Sequence, residues 1–221
     1  YPKAKRDPKA RGKGKTEDDR AIARQFGKEF FDGDRKYGYG GYRYDGRWIP
    51  IVTNICQEYR LDDTSRVLQI GSEKGFLLYD FTIAAPGIEV IGTEPSAYAR
   101  ENTIDEVKPF IVDAPYTSLP FSSNNFDFVL ALGPVYTLSL TDAIQCLREI
   151  QRVSRGKSFV TLASYTNEND YWLFKHWTLL GTTILRPDEW VEVMKYVGYT
   201  GDYKFTGSNT LNLSWAEDVD S

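Results

Sequence analysis

Three short stretches combine glycines with carboxylate and amide side chains in an order that suits a nucleoside ligand. Gly71-Ser72-Glu73-Lys74-Gly75 follows the apolar run VLQI of residues 67–70. A glycine turn between a strand and a helix presents free backbone N–H groups and the positive end of the helix dipole, which together hold an anion such as a carboxylate. Glu94 closes the run VIGTE, about 20 positions after the turn, where a carboxylate can accept hydrogen bonds from both ribose hydroxyls. Asp113-Ala114 follows FIV and precedes LPF, within reach of an adenine amine. A lone glycine turn says little. Three such features in this order, each at a strand end, say more, because ligands of doubly wound sheets bind outside the carboxyl ends of the strands. The dinucleotide pattern GxGxxG and the phosphate-loop lysine pattern are absent, which disfavours NAD and ATP and favours a nucleoside with a short charged arm.

Positioning these groups requires an alternating α/β chain. Residues 67–70, 89–93, 108–112, 126–132 and 157–164 read as strands, and the near-continuous apolar run at 126–132 fits a sheet covered on both faces. Helices are expected over 49–59, over 76–84 with Pro86-Gly87 ending it, from Ser96, over 141–154, within 168–184, and over 188–197 behind Pro187. In the 141–154 segment Ala143, Ile144, Leu147, Ile150 and Val153 share one stripe. Residues 199–205 and 210–215 are expected to pair as a terminal hairpin. Strands alternating with helices at this spacing imply parallel βαβ units in a doubly wound sheet.

The ends differ from this pattern. Seven of the first fifteen residues are basic and carry no apolar periodicity, so residues 1–19 read as a flexible, solvated basic arm ahead of a single domain over 20–221. A helix is expected from Arg20. The Gly-, Tyr- and Arg-rich segment 28–48 reads as an ordered cap loop lying over a ligand. Within it Tyr39 and Tyr42 are candidates for ligand contact, and Arg43 and Arg47 for a substrate phosphate or carboxylate; Asp32, Asp34 and Asp45 read as turn or capping residues.

The totals narrow the function class. A net charge of −4 argues against a protein dedicated to nucleic acid. There is no apolar run of about 18 residues, so no membrane span is expected, and the N-terminus lacks a stretch resembling a signal peptide. Cys56 and Cys146 lie in helix-like apolar stretches and match no metal motif, so they read as buried free thiols in a reducing cytoplasm.

At this point the chain resembles the class I S-adenosylmethionine-dependent methyltransferases. VLQIGSEKGF is similar to the family's VLDIGCGKGF, VIGTEPSAYAREN to VxGIDISxYAxEN, and VDAPYTSLPFSSNNFDFVLAL to GDAxxLPFxDxSFDxVxS. LREIQRVSRGKSFVTLASY is similar to the usual segment around strand five. FFDGDRKYGYGGYRYDGRW and GYTGDYKF resemble a bacterial subgroup associated with surface-polysaccharide or nucleotide-sugar biosynthesis. The resemblance covers roughly residues 20–206. It implies a seven-stranded, Rossmann-like sheet whose last strand is antiparallel. It implies S-adenosylmethionine with its methionine end near Gln69, Gly71, Ser72, Glu73 and Gly75, its ribose on Glu94 beside Pro95, and its adenine near Asp113, Ala114 and Leu132. It also implies methyl transfer to a small polar acceptor, here a hydroxyl of a sugar or nucleotide-sugar.

Three departures bear on that expectation. Gln69 stands where the family carries an acid, and Glu73 where it carries glycine or alanine. Two histidines of related sequences are absent, with Tyr136 and Arg186 at those positions. His176, the only histidine of the chain, and Tyr136 remain as candidates for a catalytic base. The alternative reading is a catalytically silent methyltransferase-like protein that partners or regulates an active paralogue, as a homo- or hetero-oligomer.

Overall fold

Period-two alternation along the central strands explains why this chain folds in three layers. The computed structural model describes residues 15–215. In β1 (Arg66–Ile70), Leu68 and Ile70 face one apolar cluster and Val67 faces the other. In β4 (Phe128–Ala131), Val129 and Ala131 share the first cluster while Phe128 and Leu130 share the second. Burial on both faces is what a central parallel strand requires. The remaining strands are β2 (Glu89–Thr93), β3 (Ile111–Val112), β5 (Ser158–Ala163) and β6 (Asp202–Thr206).

The strand order is β3-β2-β1-β4-β5-β6, with every pairing parallel. This is the doubly wound order that reverses between β1 and β4, and that reversal opens a crevice at their carboxyl ends. Among the described residues the sheet has six strands, not the expected seven, and no antiparallel terminal strand. The second half of the expected hairpin is instead the short helix α10 (Ser208–Leu211). Gly207 at its N-cap and the Thr210 hydroxyl accepting from the Gly207 N–H turn the chain away before a seventh strand can form.

α3 (Ile49–Tyr59) and α4 (Phe76–Ala84) cover one face, burying Val52, Leu77, Leu78 and Phe81. α7 (Leu140–Val153) and α9 (Pro187–Val197) cover the other with Ala143, Leu147, Ile150, Val153, Trp190 and Met194. Ile144 of the expected stripe is only half-buried, and Cys146 takes the buried position in its place. The Trp190 indole N–H donates to the Ala163 carbonyl at 2.7 Å, which satisfies the one polar atom of a fully buried ring. Both cysteines are free and buried. Short helices α5 (Ala97–Glu101), α6 (Pro134–Thr137) and α8 (Glu168–Trp177) follow β2, β4 and β5 at the carboxyl edge.

The N-terminal segment corrects two expectations. Residues 1–14 of the expected arm lie outside the described residues, and its end belongs to α1 (Glu17–Ala23), started by a Thr16–Asp19 capping box. The helix expected from Arg20 onward splits into α1 and α2 (Lys28–Asp32), because Phe26 turns into the left-handed region at φ 48° ahead of Gly27. Arg20 ties α1 to the domain by donating to the Thr178 and Lys175 carbonyls at 2.5 and 3.0 Å. No helix among the described residues is long and apolar enough to cross a membrane.

Candidate functional site

The turn after β1 keeps glycine where only glycine fits. Gly71 sits at φ 71°, and a Cβ there would lie 2.5 Å from Pro134 Cγ and 3.3 Å from the Tyr116 hydroxyl. Gly75 sits at φ 75°, and its Cβ would lie 2.7 Å from a Val107 methyl and 2.8 Å from a Thr103 methyl. Glu73 lies between them at φ 52°, a left-handed conformation that costs a non-glycine residue on the order of 1 kcal/mol. The backbone path of a glycine-rich turn is thus preserved while its middle position carries a long acidic side chain.

That side chain turns into the crevice. The Tyr39 hydroxyl donates to Glu73 Oε1, and the Tyr42 hydroxyl also supports the carboxylate. The Glu73 N–H in turn donates to Glu94 Oε2 at 2.8 Å, and the Ser96 N–H donates to Glu94 Oε1 at 2.8 Å. Glu94 is 2% exposed. Burial is the main cause that pushes its carboxyl up to about 7, with the nearby Glu73 charge adding to the rise. Desolvation likewise raises Glu73, opposed by the two tyrosine hydroxyls, and it holds the Tyr116 phenol well above its ordinary range. Gly71, Glu73, Tyr116, Leu132 and Gly133 are each only partly buried, so the crevice at the strand ends keeps accessible surface.

The cap over this crevice is built from residues 30–44. Tyr39 and Tyr42 stack with ring centroids 4.3 Å apart, and Tyr42 leans on Phe76 at 4.8 Å. Phe31 joins Tyr39 to Tyr98 at 6.0 and 6.1 Å. Beneath them the Lys74 ammonium donates to Asp32 Oδ2 and Oδ1 at 2.6 and 2.8 Å and to the Tyr42 carbonyl at 3.1 Å. Asp32 also accepts from the Tyr98 hydroxyl and the Tyr42 N–H. Against desolvation, these donors hold the Asp32 carboxyl below its usual range.

Several sequence candidates meet here and others do not. Gln69 is buried with its Nε2 donating to the Gly71 carbonyl at 3.3 Å, and its Oε1 and the Ser72 hydroxyl have no hydrogen-bond partner among the described residues. Ala114 is buried, whereas Asp113 is exposed and paired with Arg100 at 2.7 Å. Pro95 and Arg43 are exposed. Arg47 pairs with Asp45 at the surface, which holds its guanidinium pKa up. Asp32, read as a turn residue, is the anion that anchors the cap to the glycine turn. The Tyr136 phenol lies 3.8 Å from where a Gly133 Cβ would stand. The His176 ring instead stands between Trp172 and Trp215, at 6.2 and 5.4 Å, in a shallow cleft of about 570 Å³ lined by Asn167, Glu168 and Asn169. Sequence reading missed Tyr116, Pro134 and Lys74; Lys74 was visible only as a lysine in a glycine turn.

With this geometry established, the comparisons become informative. Residues 68–161 match the family model of the methyltransferase domain, a little less than half of the chain. These residues are similar to a methyltransferase domain. Such a domain implies a cofactor of the S-adenosylmethionine type. No curated protein matches the chain. Among solved structures, the YcgJ protein of Bacillus subtilis is 16% identical with a TM-score of 0.53, over 66% of each chain. The [4+2]-cyclase SpnF is 18% identical with a TM-score of 0.54, over 68% of this chain and 56% of its own. A complex containing the Trm112 methyltransferase activator of Haloferax volcanii matches at 18% identity and a TM-score of 0.50, over 71% of this chain and 76% of that one. The chain thus spans just under two thirds of the first of these structures and a smaller share of the second. At such identities the likeness is one of fold, and a fold shared with a cyclase leaves the reaction to the site.

The crevice at the strand ends fits the cationic end of that cofactor type. The buried, unpartnered acceptors Gln69 Oε1 and Ser72 Oγ are groups an ammonium can satisfy.

Proposed function

We propose that the chain transfers a methyl group from S-adenosylmethionine to a small polar acceptor, a hydroxyl of a sugar or nucleotide-sugar. The observation that supports this reading is the grouping of Gly71–Gly75, Glu94 and Gly133 at the switch point of the sheet, all within the residues that match a methyltransferase domain. When bound, the cofactor supplies an electrophilic methyl group on a sulfonium. Gly71, Ser72 and Gln69 hold the amino-acid end, through backbone approach and free acceptor atoms. Glu94 keeps lone pairs beyond its two backbone N–H bonds and so can still accept from ribose hydroxyls. Ala114 and Leu132 wall the adenine. Tyr39 and Tyr42 close the crevice and exclude water, and much of the rate then comes from alignment of the two reactants. A hydroxyl acceptor must lose a proton, and Tyr136, beside Gly133, stands nearer to that task than His176.

The sugar acceptor is supported by the resemblance of the cap segment and the GYTGDYKF tail to the surface-polysaccharide subgroup. The buried free thiols support a reducing compartment, the cytoplasm. Calorimetry of the purified chain with S-adenosylmethionine tests the proposal. Binding in the micromolar range is expected, and its absence sinks the proposal. One observation favours the second reading, a silent scaffold serving a paralogue: the Glu73 side chain occupies space that a glycine leaves open. In that case binding is absent from the native chain and recovered in Gln69→Asp plus Glu73→Gly.

A further inference from the structure

β5 and β6 pair in parallel, with Thr161 beside Lys204 and Ala163 beside Thr206. Val160 and Leu162 of β5 pack into the cluster beneath α7 and α9. Alternation along the strand sends Thr161 to the other face of the sheet, together with Lys204 and Thr206. α10 lies on that face, where Leu211 joins Ala163. Thr161, Lys204, Thr206, Thr210 and Leu211 line a pocket of about 130 Å³ there. That is about four times the volume share of one water molecule, which suits a group of four or five heavy atoms and excludes a sugar ring or a base. Thr161, Thr206 and Leu211 are buried, whereas Lys204 and Thr210 are exposed, so the pocket opens on the side of the lysine.

The side chains lining it supply hydroxyls and one ammonium, and no carboxylate. Thr161 is 1% exposed, and its hydroxyl has no hydrogen-bond partner among the described residues. A buried hydroxyl left in that state is costly unless a ligand or water meets it. The Thr206 hydroxyl has only a 3.4 Å contact with the Thr210 hydroxyl, which already exchanges bonds with Gly207. Lys204 has no ion pair or hydrogen bond among the described residues. The neighbouring acids are engaged elsewhere: Asp202 accepts from the Tyr59 hydroxyl at 2.6 Å, and Asp170 from Ser208, Thr166 and Asn167. We propose that this pocket binds a small tetrahedral oxyanion of the phosphate type, with the Lys204 ammonium and the Thr161 and Thr206 hydroxyls as its donors. The pocket lies over β5 and β6, whereas the crevice lies between β1 and β4, about 10 Å away across the sheet at the usual strand spacing. The site is therefore independent of the proposed methyl transfer. A free anion and the phosphate end of a larger ligand offer it the same oxygens.

Calorimetry and thermal unfolding with sodium phosphate and with glucose 1-phosphate, against sodium chloride at matched ionic strength, test the proposal on the native chain, Lys204→Met and Thr161→Val. The native chain is expected to bind at least one of the two with a dissociation constant of about 1 mM or below, and to unfold about 3 °C higher at ten times that concentration. Each substitution should weaken binding at least about tenfold. In chloride alone Thr161→Val should unfold no lower than the native chain, because the hydroxyl it removes has no partner, so its loss of binding is not a loss of fold. Binding of inorganic phosphate alone assigns the site to a free anion, and tighter binding of the ester assigns it to the phosphate end of a larger ligand. No response of the native chain to either compound overturns the proposal. So does an equal response in both variants, which marks an adventitious ion only.

Discussion

The β1 end and the β3 end of the sheet carry acids at positions that look equivalent in sequence, and the fold treats them oppositely. At the β1 end, Glu73 and Lys74 are drawn inward by the cap: tyrosine hydroxyls meet one, and Asp32 meets the other. At the β3 end, Asp113 is two-thirds exposed and pairs with Arg100 on the surface. The lesson is that a strand-end acid becomes part of a site only where a second element covers it. Among the described residues the N-terminal segment reaches the first end and leaves Asp113 exposed.

Breaking the ion pair beneath the cap should have the largest effect. In Asp32→Ala the Lys74 ammonium, buried in the native fold, loses its anion, and the expected loss is about 3 kcal/mol, read from the urea midpoint. Loss of cap order should accompany it, seen as faster amide exchange across residues 30–44. The pH dependence is next in size. Glu94 holds a proton in the folded chain up to about pH 7, against an ordinary value of 4.5. Between those values the folded state binds more protons than the unfolded one, so stability is greatest at the acid side and falls as pH rises through the window. A shift of that size corresponds to a loss on the order of 3 kcal/mol. Glu94→Gln should flatten this slope in denaturation curves taken from pH 4.5 to 7.5.

A smaller loss, about 1–3 kcal/mol, is expected for Gly75→Ala, which combines a positive φ with contact against Val107 and Thr103. Thermal unfolding measures it. The smallest effect belongs to the β3 end: Asp113→Asn removes an exposed ion pair and should cost less than about 0.5 kcal/mol. A loss as large as that of Asp32→Ala would erase the contrast between the two ends.

The parallel α/β architecture and a likeness to methyltransferase domains were legible in the sequence because strand periodicity and glycine turns are local signals. Gly71 and Gly75 could be read as a turn from their identity alone, since no other residue adopts those backbone angles without strain. The seventh strand was misread because 210–215 has strand-like alternation, and the capping at Gly207 and Thr210 that diverts it is a hydrogen-bond choice made in three dimensions. His176 was singled out as the only histidine. Its helix turns its ring toward Trp172 and Trp215, while the Tyr136 hydroxyl, on a short helix after β4, lies close to Gly133.

By itself, then, the sequence determined that a doubly wound parallel sheet forms and where its strand ends fall, because those features depend on residues within a few positions of one another. The tertiary structure decided which acids face inward. That outcome depends on contacts across long separations in the chain, between Tyr39 and Glu73 and between Asp32 and Lys74, which pull a carboxylate and an ammonium out of water and fix them at the mouth of the site.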